Sequence, residues 1–400
     1  MNKKVLVTVI VGLCLFIIGG VLAGVGYARG GVDEFKTKDM ANMRIISEKD
    51  IIKENSEDLP DFSGLDIKGD YGYIEVVKGD SFNVKFNNYI TETMPSYKVE
   101  DGILTITYQE HSNWFGLNFD ATAAAVKNGM VITVPQDAEL AEAKITSEGG
   151  GVKIADNAFT SLYIDSGYDT TNLTNVTCEN LTYVGDWSKL ELTSVKSQKA
   201  EISGIDDFEA QDIEGGAWSL EAEDGGSGFS LENAKLDSMN ITGYYTLNLQ
   251  NNNITTLAVN SSYGDVNIDG LNGDKLEITS SDGQVDVNKA VVGSASIKSD
   301  YGPVIMSESE TKALKITAAD SDIDLMGNFL GTSEIDTDYG NITMVITGAE
   351  KDYGYSLKTE YGTSEVNNET IDGALIVRSD TDNQINCNTS DGNITLNFQA

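Results

Sequence analysis

Histidine is the scarcest residue of this 400-residue chain: His111 is the only one. A histidine-based catalytic triad would have to use it, and no Ser or Cys nucleophile motif lies beside it. Cysteine is nearly as rare. Cys14 falls in an apolar N-terminal run, which leaves Cys178 and Cys387, a pair too distant in sequence to be a small disulfide scaffold. Positive charge is the third shortage, with 27 Lys and Arg against 63 Asp and Glu and a formal net charge of −36. Lys3, Lys4 and Arg29 precede the first acid, Asp33, so the remainder holds 24 basic and 63 acidic groups, a balance of −39. Such a surface repels nucleic acid, whose recognition needs basic stripes. It also repels anionic lipids and acidic wall polymers unless cations intervene.

Long apolar runs are lacking too, with one exception. Val5 to Tyr27 is 23 residues without a charge, enough to cross a bilayer's hydrocarbon core as a helix. Lys3 and Lys4 favour a cytoplasmic N-terminus (1–4), a transmembrane anchor (5–27) and an extracytoplasmic C-terminal domain, hence a single-pass protein of the cell membrane. Gly26 and Ala28 leave a cleaved signal peptide as the competing reading, against which the length of the run counts. Residues 28–60 read as a polar juxtamembrane linker, in which Ile45-Ile46 and Ile51-Ile52 suit a brief helix.

From Asp61 the texture changes to alternation: "YIEVV", "FNVKF", "ILTIT" and "MVITV" are each bounded by Gly, Asp, Asn or Pro, as strands are. Helical periodicity is nearly absent from there on. Residues 61–142 are expected to form an N-terminal β cap. Beyond them lies a repeat, with units cut at 143, 162, 181, 200, 218, 239, 257, 276, 295, 314, 333, 355 and 374, most of them 19 residues long. A fixed period near 20 residues marks a solenoid.

Within each unit apolar residues alternate with polar ones on both sides of a Tyr/Asp-Gly corner. Val259, Ile278, Ile297 and Ile316 share the third position; Val266, Val285, Val304 and Ile323 share the tenth. That is strand, bend and strand, each with one face turned inward. Gly264, Gly283, Gly302, Gly340 and Gly362 occupy the bend, where a positive φ would make a Cβ costly. The predicted fold is all-β: a single-stranded β-solenoid or β-helix of about 19-residue rungs over 143–400, preceded by one N-terminal transmembrane helix. Thirteen such rungs would make a rod roughly 60 Å long, at about 4.8 Å per rung. The units at 200, 218 and 239 fit less well and predict a bulge.

The stretch "DFSGLDIKGDYGYIEVVKGD", the passage "GMVITVPQDAELAEAKITSEGGGVKI" at 129–154 and the later G-x-[VI]-x-[VI] units together resemble the bacterial DUF4097 family of adhesin-like proteins. That family includes the membrane-anchored protein of the Lia envelope-stress operon. The pattern V-P-x-x-A-x-L running into a Gly-Gly rung is the most specific part. The resemblance spans 61–400 and implies an exported, tethered or secreted β-solenoid. It carries no catalytic motif, so no active-site residue, cofactor or metal is assigned.

Four groups of residues invite a functional reading. The segment "QEHSNWFGLNFDATAAAVKNG" (109–129) interrupts the strands and holds Trp114, Phe115 and Phe119, which either cap the solenoid's end or meet a partner. Asp320, Asp322 and Asp324 imitate the start of a calcium loop, but Leu325 and Gly331 stand where such a loop needs Gly and Glu. The seventh position of the rungs carries Tyr168, Trp187, Tyr245, Tyr263, Asp282, Tyr301, Asp320, Tyr339 and Tyr361. This column either covers the bends or offers rings and carboxylates to a carbohydrate. Finally, "TSDGNITLNFQA" ends the chain as a strand, with Ile394, Leu396 and Phe398 alternating inward. As an open edge it is expected to pair with a partner strand or a second copy. The chain reads as a non-catalytic, adhesin-like or envelope-stress-associated scaffold that binds a protein or wall polymer; the alternative is a carbohydrate-binding or carbohydrate-cleaving β-helix.

Overall fold

A computed structural model of the chain describes residues 52–69, 72–89, 95–108, 129–222, 228–372, 374–377 and 380–399, with a short antiparallel pair at Lys38–Asp39 and Arg44–Ile45. The expected anchor at 5–27 and the segment with His111, Trp114, Phe115 and Phe119 lie outside the described residues. Among those described, the structure is almost wholly strand, relieved by one 3-10 turn at Glu350–Asp352. None of their helices is long and apolar enough to cross a membrane.

About eleven turns follow one another between Leu140 and Thr347 at roughly 19-residue spacing, each stacked in parallel on the last. Every turn supplies one strand to a first sheet and, past the corner, one to a second. The alternation dictates which side chains go in. Val304 and Met306 are fully buried, while Ile305 between them is half-exposed. The register matches the repeat: Leu257 pairs with Leu276, Leu276 with Ala295, and Ala295 with Leu314. Interior side chains of the two sheets meet across the core, as where the Tyr183 hydroxyl approaches Ser188 Oγ at 2.8 Å and Thr171 Oγ1 at 3.4 Å.

The middle units keep this register. Ala200 pairs with Trp218 and Trp218 with Met239. The expected bulge falls at the first of them, at the register shifts between Val184 and Ser188 and between Ser203 and Ile205. There the core switches to large rings: Phe208 meets Phe229 edge-on at 5.9 Å, and Phe229 stacks on Tyr245 at 4.7 Å.

The ends break sequence order. Near the N-terminus, Gly64–Gly69 lies between Ile103–Tyr108 and Leu140–Ser147, so the chain passes back over its first rung before the regular turns begin. At the other end, Asn383–Asp391 is inserted between the last regular turn and Tyr353–Thr359. Its continuation, Ile394–Gln399, lies between Ile342–Thr347 and Thr363–Val366. The expectation that this last strand is an open edge is therefore corrected. Ile394 and Leu396 are buried core residues, not contact residues.

Antiparallel strands close the stack instead. Ser96–Glu100 folds onto Ile103–Tyr108 and Glu369–Asp372 onto Thr363–Val366. Their turns are Asp101-Gly102 (φ 51° and 75°) and Asn367-Asn368 (φ 49° and 67°), both with two left-handed residues, as tight hairpins require. Leu375–Val377 adds antiparallel to Tyr353–Thr359, where a thirteenth rung starting at 374 was expected. At the opposite end Ile52–Asp58 pairs with Asn83–Tyr89, so the end of the expected linker is strand rather than helix. With two rungs beyond the regular turns at each end, the rod is roughly 70 Å long at about 4.8 Å per rung.

Cys178 and Cys387 are both free and buried. Nine hydrogen-bonded steps separate their strands, one fewer than sequence order would give, because the last rung is inserted before Tyr353–Thr359.

Candidate functional site

The corner between the two sheets is the repeated octapeptide, and each of its residues has a separate task. The serine turns inward: Ser280 and Ser299 donate from Oγ to the carbonyl oxygens of Gly283 and Gly302, at 3.3 and 2.6 Å, and pin the bend. The glycine is demanded by stacking more than by backbone angle. A Cβ on Gly302 would lie 1.8 Å from the Gly283 oxygen, and one on Gly283 would lie 1.9 Å from the Gly264 oxygen. Of the bend glycines named from the sequence, only Gly264 has a left-handed φ, of 101°. Just past the glycine, side chains bond the next rung's backbone. Asp322 Oδ1 accepts from the Asn341 N–H at 2.7 Å, and Asn341 Oδ1 accepts from the Asn393 N–H at 3.0 Å.

The residue before the glycine faces outward. Tyr263, Tyr301, Tyr339 and Tyr361 expose 58, 64, 62 and 81% of their surface. Between them in the stack stand Asp282, Asp320 and Asp391, also exposed. Tyr263 pairs with Asp282, and the Tyr301 N–H bonds the carbonyl of the neighbouring Ser281 at 3.0 Å. Tyr339 N–H bonds Ala319 O at 2.9 Å, Tyr339 pairs with Asp391, and Tyr361 N–H bonds Ser390 O at 3.1 Å. The inserted C-terminal rung thus places Asp391 between two tyrosines that would otherwise be consecutive. The result is a strict spatial alternation, Tyr-Asp-Tyr-Asp-Tyr-Asp-Tyr, along one edge of the rod.

This row does not cover the bends, since its rings are mostly in solvent. Below it, Tyr244 (39% exposed) stacks on Tyr263 at 5.4 Å and 18°. Tyr244, not Tyr245, holds the outward place in its rung. Tyr245 turns in, and burial pushes its phenol above the ordinary value of 10.0. Tyr168 and Trp187 stand out at the same corner nearer the N-terminus, Trp187 with a left-handed φ of 58°.

A second column went unread in the sequence. At the turn between rungs, Asp156, Asn175, Ser194, Asp212, Asn233, Asn251, Lys289 and Glu308 all have φ between 47° and 57°. Asn and Asp tolerate that conformation better than other residues, and here they also bond one another: Asn175 Nδ2 donates to Asp156 Oδ1 at 2.9 Å. The signal was an Asn, Asp or Gly at about the fourteenth place of most units.

Elsewhere the outer faces carry ion pairs. Lys189 lies 2.8 Å from Glu209, 3.0 Å from Glu191 and 3.4 Å from Asp207, and those carboxylates raise its pKa, the Glu209 hydrogen bond most. Lys196 and Lys235 hold the Glu214 carboxyl below its ordinary value. A shallow hollow on the first sheet is lined by Asp66, Lys98, Glu142, Lys144 and Tyr163, and is open to solvent. Asp320, Asp322 and Asp324 point outward on alternate residues, and among the described residues no His, Cys, Asp and Glu group is arranged to hold a metal ion.

Fold and corner together define a two-sheet parallel β-solenoid with capped ends and an aromatic–acidic ridge. The chain belongs to the Toastrack DUF4097 family, whose model matches residues 65–242 and again 229–397. Among solved structures it is similar to a candidate cell adhesion protein from Clostridium sporogenes, at 11% identity and a TM-score of 0.20, over 87% of this chain and 100% of that one. A candidate adhesin from Bacteroides fragilis matches at 11% identity and 0.21, over 87% and 97%. The family assignment rests on the family match and not on these. No curated protein matches the sequence.

Proposed function

We propose that this chain is a non-catalytic, adhesin-like or envelope-stress-associated scaffold, held at the membrane by residues 5–27 and displaying its β-solenoid outside the cell. Its role is to meet another component of the envelope, a protein or a wall polymer, along the corner ridge. The observation that carries this reading is the exposure of Tyr263, Tyr301, Tyr339 and Tyr361 in one line. Exposed aromatics in a row are costly to leave in water and mark contact surfaces. The rigid rod beneath them holds the rings without a loop to order on binding, which lowers the entropic cost of contact. Nothing in this role requires an acid–base pair.

Cells displaying the full-length chain test the reading. Tyr301→Ala with Tyr339→Ala should abolish their retention on purified envelope material while leaving surface expression unchanged. Retention equal to that of the unaltered chain would remove the ridge as the contact. Digestion of intact protoplasts with external protease checks the anchoring: the chain beyond about residue 30 should be removed, and a full-length protected chain would refute the orientation.

A further inference from the structure

The ridge has a definite period. Successive rungs lie about 4.8 Å apart, so tyrosines on every second rung recur at about 9.6 Å. We propose that the ridge binds a linear, β-1,4-linked polysaccharide, neutral or positively charged, laid along the rod axis. This rests on the ridge being the contact surface argued above. A ribbon-like β-1,4 glycan turns the same face outward at every second sugar, a spacing comparable to that of Tyr263, Tyr301, Tyr339 and Tyr361. Each ring can then lie under a sugar face while Asp282, Asp320 and Asp391 accept hydrogen bonds from the hydroxyls between.

Two alternatives fit less well. An extended peptide strand repeats its facing side chains at about 6.8 Å, out of phase with the rings. A polyproline helix, at about 9.3 Å per turn, comes closer in period but is taken up in aromatic-lined grooves. The tyrosines here form a single line on a convex corner. Charge restricts the glycan further. Asp300, Asp338 and Glu360 immediately precede three of the tyrosines, on a chain whose residues beyond 32 balance at −39. A polymer of uronic acids or phosphates would be repelled.

The test uses the full-length chain in detergent micelles, titrated with six-sugar β-1,4 oligomers of glucose and of N-acetylglucosamine. The matching disaccharides, polygalacturonate and decaproline serve as comparisons. A six-sugar oligomer spans several rings, so it should bind at least about tenfold more tightly than the disaccharide. Polygalacturonate and decaproline should not bind. Tyr301→Ala should weaken hexasaccharide binding roughly tenfold, the weight of one stacked ring, without altering the thermal transition. Moving the ring by one rung, with Tyr301→Asp and Asp320→Tyr together, should cost as much although composition is unchanged. Decaproline binding in place of the glycans, or glycan binding indifferent to both variants, would overturn the proposal. If no glycan binds while the Tyr301, Tyr339 pair still abolishes cell retention, the glycan inference fails and the contact surface survives. If retention is also unaffected, both fail.

Discussion

Replacing Gly302 by alanine tests the stacking of the corner directly. The new Cβ would lie 1.8 Å from the Gly283 carbonyl oxygen and 2.4 Å from its carbon, with backbone on every side rather than a flexible side-chain tip. Ordinary contact begins near 3.4 Å, so the two rungs must part by about 1.5 Å at this point. Three backbone hydrogen bonds cross the same corner: Asp300 N–H to Ser280 at 3.1 Å, Tyr301 N–H to Ser281 at 3.0 Å, and Val285 N–H to Pro303 at 2.9 Å. A separation of that size takes them beyond bonding range. At roughly 0.5–1.5 kcal/mol each, the loss is about 3 kcal/mol. Gly228→Ala is the control, because among the described residues its Cβ would meet nothing nearer than the Thr246 oxygen at 3.9 Å. It should be neutral, or stabilise by about 0.4–1 kcal/mol through the unfolded chain. Urea unfolding of both variants measures the difference. Long repeat arrays can lose cooperativity, so amide exchange across residues 281–304 should accompany it. Variants agreeing within about 0.5 kcal/mol would refute the account of why the corner is glycine.

Val304→Asp should unfold or severely destabilise the rod, since it buries a charge with no partner, whereas half-exposed Ile305→Asp should cost about 1 kcal/mol; equal losses in denaturant would contradict the assigned faces. Ending the chain at residue 382 should remove an internal rung rather than an edge, so amides of Tyr353–Thr359 and Thr363–Val366 should lose exchange protection as well; their continued protection would contradict the inserted rung. Tyr355 gives a pH signature. Burial first, then its hydrogen bond to Glu350 at 2.8 Å, pushes its phenol up to about 12 from 10.0. The folded chain keeps this proton when the unfolded chain has lost it, so the contribution is full below pH 10 and disappears as pH rises through 12. Tyr355→Phe should flatten that part of the stability–pH curve, and an unchanged slope would refute the assignment.

The local code of the rod was legible in the sequence because it repeats. Alternation assigns faces, the 19-residue period assigns register, and Leu257, Leu276, Ala295 and Leu314 pair as the unit boundaries imply. The outward tyrosines at 263, 301 and 339 follow from the same arithmetic. Even the hairpin turns that close the ends were written there, as Asp101-Gly102 and Asn367-Asn368, although the repeat pattern masks them. Which rung stacks on which was a different matter. A rung's faces are the same whichever neighbour it has, so periodicity cannot distinguish 383–399 as the last rung from 383–399 as an inserted one. Tertiary structure decided that, by hydrogen-bonding Asn383–Asp391 between two other strands and leaving antiparallel hairpins on the outside. The same choice buried Ile394 and Leu396, and it set Asp391 between Tyr339 and Tyr361. Strand order depends on which edges are left to pair once the chain has folded back, and that is a property of the assembled stack.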